Sequence, residues 1–204
     1  MSPSPNSRKV EATAIHLGLP LEVFQVDLTK GEHMSPEFTA LNPNNMIPLL
    51  EDGDFKLWES NAILIYLSNK KPEAGLFPAD PVKQVEVLRW LFWQSSHWAP
   101  ACGALMWEHM WKAMVTGQPA DDKLVAEAEG KFKRFGKVLN DHMADREWLV
   151  GESVTLADFA VGAFMTYADG AKFPYQDMEH VKNWLGRLEK LEAWQQTRPK
   201  ISVG

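Results

Sequence analysis

The apolar positions of this chain change period more than once. From Asn6 to Gly18 (N-S-R-K-V-E-A-T-A-I-H-L-G) they recur at helical spacing, and the closing glycine suits a helix C-terminus. Leu21 to Val26 (L-E-V-F-Q-V) alternates apolar and polar residues and carries Val and Phe, the pattern of a strand. Met46 to Glu51 is apolar, and Asp52-Gly53-Asp54 leads into Phe55-Lys56-Leu57-Trp58, which predicts a β-hairpin. Glu59 to Asn69 returns to helix, so the first part is mixed α and β.

Two prolines within Leu76 to Pro81 (L-F-P-A-D-P) interrupt the pattern, and everything beyond them reads as helix. A domain boundary belongs there, dividing the chain into 1–75 and 76–204. In the second part Val85, Leu88, Phe92, Ser95, Ala99, Cys102 and Met106 form one stripe of a long helix. Trp90, Trp93, His97, Ala104 and Trp111 form another. A helix apolar on two faces is predicted to be buried on both, and Pro100 to kink it. Further on, Thr155-Leu156-Ala157-Asp158 resembles a capping box, with Val154 and Phe159 where a hydrophobic staple closes. Asp158 is accordingly predicted to cap a helix and to take no part in catalysis.

At 204 residues the chain is one large or two small domains. Nine Trp and ten Phe supply enough apolar area for a real core, which excludes disorder. The net charge of −6, with acids and bases interleaved and no basic run, argues against a nucleic-acid partner. Cys102 is the sole cysteine, so no disulfide forms within the chain, which fits a reducing, cytoplasmic setting. No long uncharged apolar stretch occurs, and Met1-Ser2-Pro3-Ser4-Pro5 lacks the marks of a signal peptide, so no membrane partner is predicted. His16, His33, His97, His109, His142 and His180 are scattered without metal-ligand spacing, and neither a phosphate loop nor a nucleophile elbow is present. Neither a metal nor a nucleotide is called for.

Several separately placed motifs carry a family resemblance. Ser4-Pro5-Asn6-Ser7-Arg8-Lys9-Val10, Pro36-Glu37-Phe38 with Asn42-Pro43, Ile47-Pro48, Glu59-Ser60-Asn61-Ala62-Ile63 and Gly151 to Phe159 together resemble the signature of the cytosolic glutathione S-transferases. The likeness covers nearly the whole chain, and the serine-using theta, phi and bacterial nu types look nearest. It implies an α+β thioredoxin-like domain over 1–75 that binds glutathione. It also implies an all-α helical domain over 76–204 that offers a hydrophobic site to an electrophilic small molecule, the whole assembled as a homodimer.

The chemistry implied is thiol ionisation. A free cysteine thiol has a pKa of roughly 8.5, so ionisation near neutrality needs about 2 to 3 kcal/mol of preference for the anion. One or two hydrogen bonds to the charged sulfur, each worth about 1.5 to 3 kcal/mol, together with a helix N-terminus, suffice. Ser4 immediately precedes the first helix and sits where serine-type members carry their activating hydroxyl; on spacing alone a helix cap is an equal reading. Asn6 is a second candidate, because nu-type relatives use the Asn of a Thr-Pro-Asn segment near the sulfur, and its bland reading is a solvated first-turn residue. The resemblance implies that Ile47-Pro48 is cis and, with Met46, holds the cysteinyl backbone of glutathione. It assigns the γ-glutamyl carboxylate to Glu59 and Ser60, which otherwise read as caps, and the glycine end to His33, which otherwise reads as a surface histidine. Met34 and Met46 depart from the Lys and Gln of phi-type members. Trp98, Cys102 and Trp107 lie on the helix where the family places its apolar site, and core packing is the competing reading for each.

One departure stands out. Family members open with an apolar strand ahead of the serine, whereas Met1-Ser2-Pro3 is all that precedes Ser4 here. Loss of that strand is predicted to expose two strand edges and to leave the Ser4 helix poorly anchored. Conjugation of glutathione to an electrophile is the leading activity. Glutathione-dependent reduction of disulfides or peroxides, or a non-catalytic glutathione-transferase-like binding role, are the alternatives.

Overall fold

The computed structural model describes residues 4–199. The first helix, α1 (Pro5–His16), starts on Ser4, whose Oγ accepts from the Ser7 backbone N–H at 3.4 Å, and Pro5 supplies the preset φ of a first helical residue. Beyond α1 the chain reverses through Gly18 at φ +63°, a conformation glycine adopts freely. Residues 19–27 then run as irregular backbone, so the strand predicted for Leu21 to Val26 is not formed among the described residues. Val23 and Phe24 are exposed there, Phe24 at 78%. Alternation in sequence can only mark a segment ready to pair; it does not supply the neighbour.

A short helix, α2 (Pro36–Leu41), is capped by Ser35, whose Oγ accepts from Phe38 N–H at 3.1 Å. The predicted hairpin is present as β1 (Leu50–Asp52) antiparallel to β2 (Phe55–Leu57), with Leu50 opposite Leu57 and Asp52 opposite Phe55. Gly53 takes φ +58° in its two-residue loop. Helix α3 (Ser60–Asn69) follows and packs along α1. Asp52 ties the hairpin back to α3 by accepting from Tyr66 Oη at 2.7 Å and by pairing with Lys70.

The second half begins at α4 (Pro81–Trp93), where Asp80 Oδ1 accepts from Lys83 N–H at 2.9 Å. The chain then stays helical to residue 116 through α5 (Ala99–Met106) and α6 (Lys112–Thr116). Two π-helical turns, Gln94–Trp98 and Trp107–Trp111, interrupt it. The first adjoins Pro100, which has no N–H to give; the Ala99 N–H bonds Gln94 O, one residue further back than in an α-helix. Thus the break predicted at Pro100 takes the form of a widened turn. Burial of this helix on two faces holds only in part. Val87, Trp90, Leu91, Trp98, Cys102, Leu105 and Met106 are core residues, whereas Val85 and Phe92 are exposed at 65% and 68%. Among the described residues α4 packs chiefly on α8, and the face bearing Val82, Val85 and Phe92 is left exposed.

Helix α7 (Asp122–His142) lies against α5, and α8 (Leu156–Met165), buried along its whole length, is the hub on which α1, α4 and α9 (Glu179–Leu188) pack. The capping box is present. Asp158 accepts from Thr155 N–H at 2.8 Å, Thr155 Oγ1 at 3.0 Å, Leu149 N–H at 2.9 Å and Trp184 Nε1 at 2.9 Å. Burial raises its pKa, and the four donated bonds pull against that rise. Phe159 is a core residue and Val154 is half-buried against the core. A last short helix, α10 (Glu192–Gln196), closes over the open side of α1.

That closure corrects the expectation of a poorly anchored first helix. Arg8, 1% exposed, donates through Nε to Thr197 O at 3.2 Å and through Nη2 to Trp194 O at 2.8 Å, and its Nη1 reaches Thr166 Oγ1. Its Cζ stands 3.8 Å from the centre of the Trp194 ring. With α3, α8 and α10 all against it, α1 is held by helices. Met1, Ser2 and Pro3 lie outside the described residues.

Candidate functional site

Two helix N-termini meet at one place. Ser4 and Asn6 sit at the start of α1, Glu59 and Ser60 at the start of α3, and Ser60 Oγ donates to Asn6 Oδ1 at 3.4 Å. The backbone amides at such ends have no partner within the helix and favour an anion. Glu59 adopts φ +69°, ψ 103°, a conformation that L-residues avoid at a cost on the order of 1–3 kcal/mol. It is held at the turn where the backbone leaves the hairpin and enters α3.

The loop before the hairpin is fixed by Asn42, 2% exposed. Its Nδ2 donates to Met46 O at 2.7 Å, and its Oδ1 accepts from Asn44 N–H at 3.0 Å. Met46 itself is exposed, and the Ile47–Pro48 bond that follows is cis. His33 is half-buried on a 3₁₀ turn, and its Nδ1 is shielded from solvent with no hydrogen-bond partner among the described residues. A shielded polar atom without a partner is uncommon and fits a site that takes a polar guest.

The helical residues separate. Trp98 and Cys102 are fully buried: the Trp98 indole donates to Val161 O at 3.2 Å, and burial pushes the Cys102 thiol up. Neither presents surface to a substrate, and both pack the core. Trp107 is 39% exposed and opens on a cavity of about 260 Å³ between α5 and α7, lined also by Ala104, Leu124, Ala128 and the charged Glu108, Glu127 and Lys131. No residue of the first 75 lines it, so Trp107 is not brought beside Ser4 through this cavity.

Lys9 is the polar residue here that periodicity did not pick out. It is 1% exposed, with Nζ donating to Asn61 Oδ1 at 2.7 Å and Gln94 Oε1 at 3.1 Å, and burial lowers its pKa to about 7 against the pull of Glu59. The sequence offers only its place between Arg8 and Val10 in the family motif; the structure shows residues 7 to 14 of the helix all buried. Among the described residues no group of three or more His, Cys, Asp or Glu is placed to hold a metal, and no helix is long and apolar enough to cross a membrane.

Among the described residues, a cis-proline loop, a short hairpin and two apposed helix ends are followed by an all-helical half built around one buried helix, a mixed α and β unit joined to an all-α one. Comparison with known proteins makes this specific. Residues 1–69 match the model of the glutathione S-transferase N-terminal domain, and 99–192 that of the C-terminal domain. Glutathione S-transferase F10 of Arabidopsis thaliana is 32% identical over 203 residues, covering 97% of this chain and 94% of that protein. A glutathione S-transferase of Hyoscyamus muticus is 33% identical over 195 residues, 94% of this chain and 92% of that one. Among solved structures, the theta class glutathione S-transferase from Xanthomonas axonopodis pv. citri, determined with glutathione bound, superposes with a TM-score of 0.86 at 27% identity, covering 97% and 94% of the two chains. The chain belongs to the glutathione S-transferase family.

Proposed function

We propose that this glutathione transferase lays the tripeptide across the N-terminal ends of α1 and α3 and ionises its thiol beside Ser4. The contact between Ser60 and Asn6 carries the reading, because it sets the helix end bearing a hydroxyl and an amide next to one suited to a carboxylate. In this reading the γ-glutamyl carboxylate lies at Glu59 and Ser60, and the cysteinyl backbone runs along Met46, Ile47 and Pro48. The glycine end reaches His33, whose shielded Nδ1 supports a polar contact there.

The thiol proton leaves to solvent, and the Ser4 hydroxyl and the Asn6 amide group donate to the sulfur anion. Accepting the cap bond from Ser7 uses an oxygen lone pair, so capping and donation to sulfur are compatible. The thiolate then attacks an electrophilic carbon: a C–S bond forms, and the leaving group departs with its electron pair. An apolar acceptor suits the helical half, but of the predicted set Trp98 and Cys102 are core residues and the exposed Trp107 faces a cavity away from the first 75 residues, so none of the three is assigned to it.

The division into 1–75 and 76–204 is supported by the gap between the two family-model matches, which contains the Leu76–Pro81 linker. A homodimer is supported by Val82, Val85 and Phe92, which leave an apolar stripe exposed along α4. A cytoplasmic setting is supported by the single, buried cysteine. Calorimetry with millimolar glutathione, followed by turnover of an aryl halide and of a small disulfide, tests the activity. Absence of binding heat overturns it, and preference for the disulfide replaces conjugation with reduction.

A further inference from the structure

Three segments are gathered on one buried ammonium. Lys9 Nζ holds Asn61 at the first turn of α3 and Gln94 in the π turn after α4. Asn61 in turn donates through Nδ2 to Gln94 Oε1 at 3.0 Å and to Leu91 O at 2.9 Å. Asn61 directly follows Ser60, the residue that reaches Asn6. The cluster therefore lies behind the two helix ends that form the candidate site and joins them to the helical half.

The ammonium's two partners are neutral amides, and a buried cation held by amides alone is poorly compensated. Glu59 is the acidic group whose field favours its charge. On α1 itself Arg8 is committed to Thr166, Trp194 and Thr197, and Glu11 is buried two residues on. The end of α4 and the π turn contribute the Leu91 carbonyl and the neutral Gln94. A negative charge arriving at the start of α3 completes what Glu59 begins.

We propose that Lys9 is a positioning residue for glutathione, which fixes Glu59 and Ser60 against Asn6 and supplies, from behind, the positive charge that draws the γ-glutamyl carboxylate to the α3 N-terminus. This rests on the glutathione site proposed above. Because burial brings the Lys9 pKa to about 7, the residue is divided between ammonium and amine near neutrality, and a bound anion selects the ammonium. Binding then takes up a proton and weakens as pH rises.

S-methylglutathione is the probe, since it keeps both carboxylates and has no thiol to titrate. Calorimetry of the wild-type protein in two buffers of different ionisation enthalpy at about pH 7.5 is expected to show proton uptake. Affinity is expected to fall by about tenfold for each pKa unit that the bound anion adds to Lys9. Lys9→Met, with its fold verified by circular dichroism, is expected to bind more weakly in mild acid and with a flat pH profile. Lys9→Arg, which keeps its charge throughout, is expected to bind tightly and without pH dependence. The contrast between wild type and these variants assigns the proton to Lys9 rather than to His33. Wild-type binding without proton uptake, or a folded Lys9→Met that follows the wild type at every pH, overturns the proposal. A wild type that does not bind the probe at millimolar concentration removes the glutathione site itself, and the proposal with it.

Discussion

The guanidinium of Arg8 sits over the indole of Trp194, 3.8 Å from Cζ to ring centre, while its nitrogens donate to the Trp194 and Thr197 carbonyls. One side chain on α1 thereby closes the last helix over the first. Arg8→Lys keeps a charge but loses the planar fork and the stacking. We expect a loss on the order of 2–3 kcal/mol in urea unfolding and faster hydrogen exchange across 192–199. Unchanged exchange in that segment would count against Arg8 as its clasp.

Ser4 has two roles to separate, since it caps α1 and is proposed to face the sulfur. Ser4→Ala should lose about 1 kcal/mol of stability from the cap. It should also slow aryl halide turnover by roughly 10- to 100-fold, the loss of one bond to a charged sulfur, while glutathione binding weakens far less. Ser4→Asp restores the cap with a carboxylate that repels a thiolate, so stability should return without activity. Recovery of turnover in Ser4→Asp would reduce Ser4 to a cap.

Asp158 accepts four hydrogen bonds at 0% exposure and touches nothing at the candidate site. Asp158→Ala strands four buried donors and should cost on the order of 3–5 kcal/mol, read as a drop in melting temperature. Activity per folded molecule at low temperature should be retained. A folded variant without activity would point to a chemical role after all.

Lys9 gives stability a pH dependence of known sign. Its folded pKa of about 7 lies below the ordinary lysine value, so between the two the unfolded chain binds a proton that the folded chain does not. Stability therefore rises with pH in that window, by up to about 1.4 kcal/mol per unit from this group. Across pH 7 to 9, urea unfolding should show the wild type gaining on the order of 2 kcal/mol relative to Lys9→Met. Parallel curves for the two proteins would mean that Lys9 is not titrating there.

The apolar stripe on α4 yields a solution test. Phe92→Glu places a charge in the proposed dimer contact and should give monomers by sedimentation, with the helical content unchanged. A wild type that already sediments as a monomer would dismiss this contact.

What could be read from the sequence was what short-range physics decides. Helix periods, the Gly53 hairpin and the Thr155–Asp158 box depend on residues a few positions apart, and each is present. The Leu21 to Val26 segment failed because a strand exists only if a distant neighbour pairs with it. The open face of α4 failed for a related reason: a second apolar stripe declares that cover is wanted without naming what covers it. Ser4, Asn6, Glu59 and Ser60 were drawn to one region by motif, and their arrangement at two apposed helix ends is visible only in three dimensions. No pattern in the sequence marks Lys9, because lysine is ordinarily a surface residue, and its burial follows from α1 being enclosed by three other helices.

Each widened turn in the long helix between 81 and 116 accommodates one residue beyond the α-helical course, which turns everything downstream by about 100° about the axis. Trp98, which ends the first widened turn, is fully buried, and Trp107, which opens the second, is 39% exposed. When sequences of this family are aligned, a one-residue gap at either place therefore signals a new choice of which side chains look into the core, and padding it away would erase a real difference in shape.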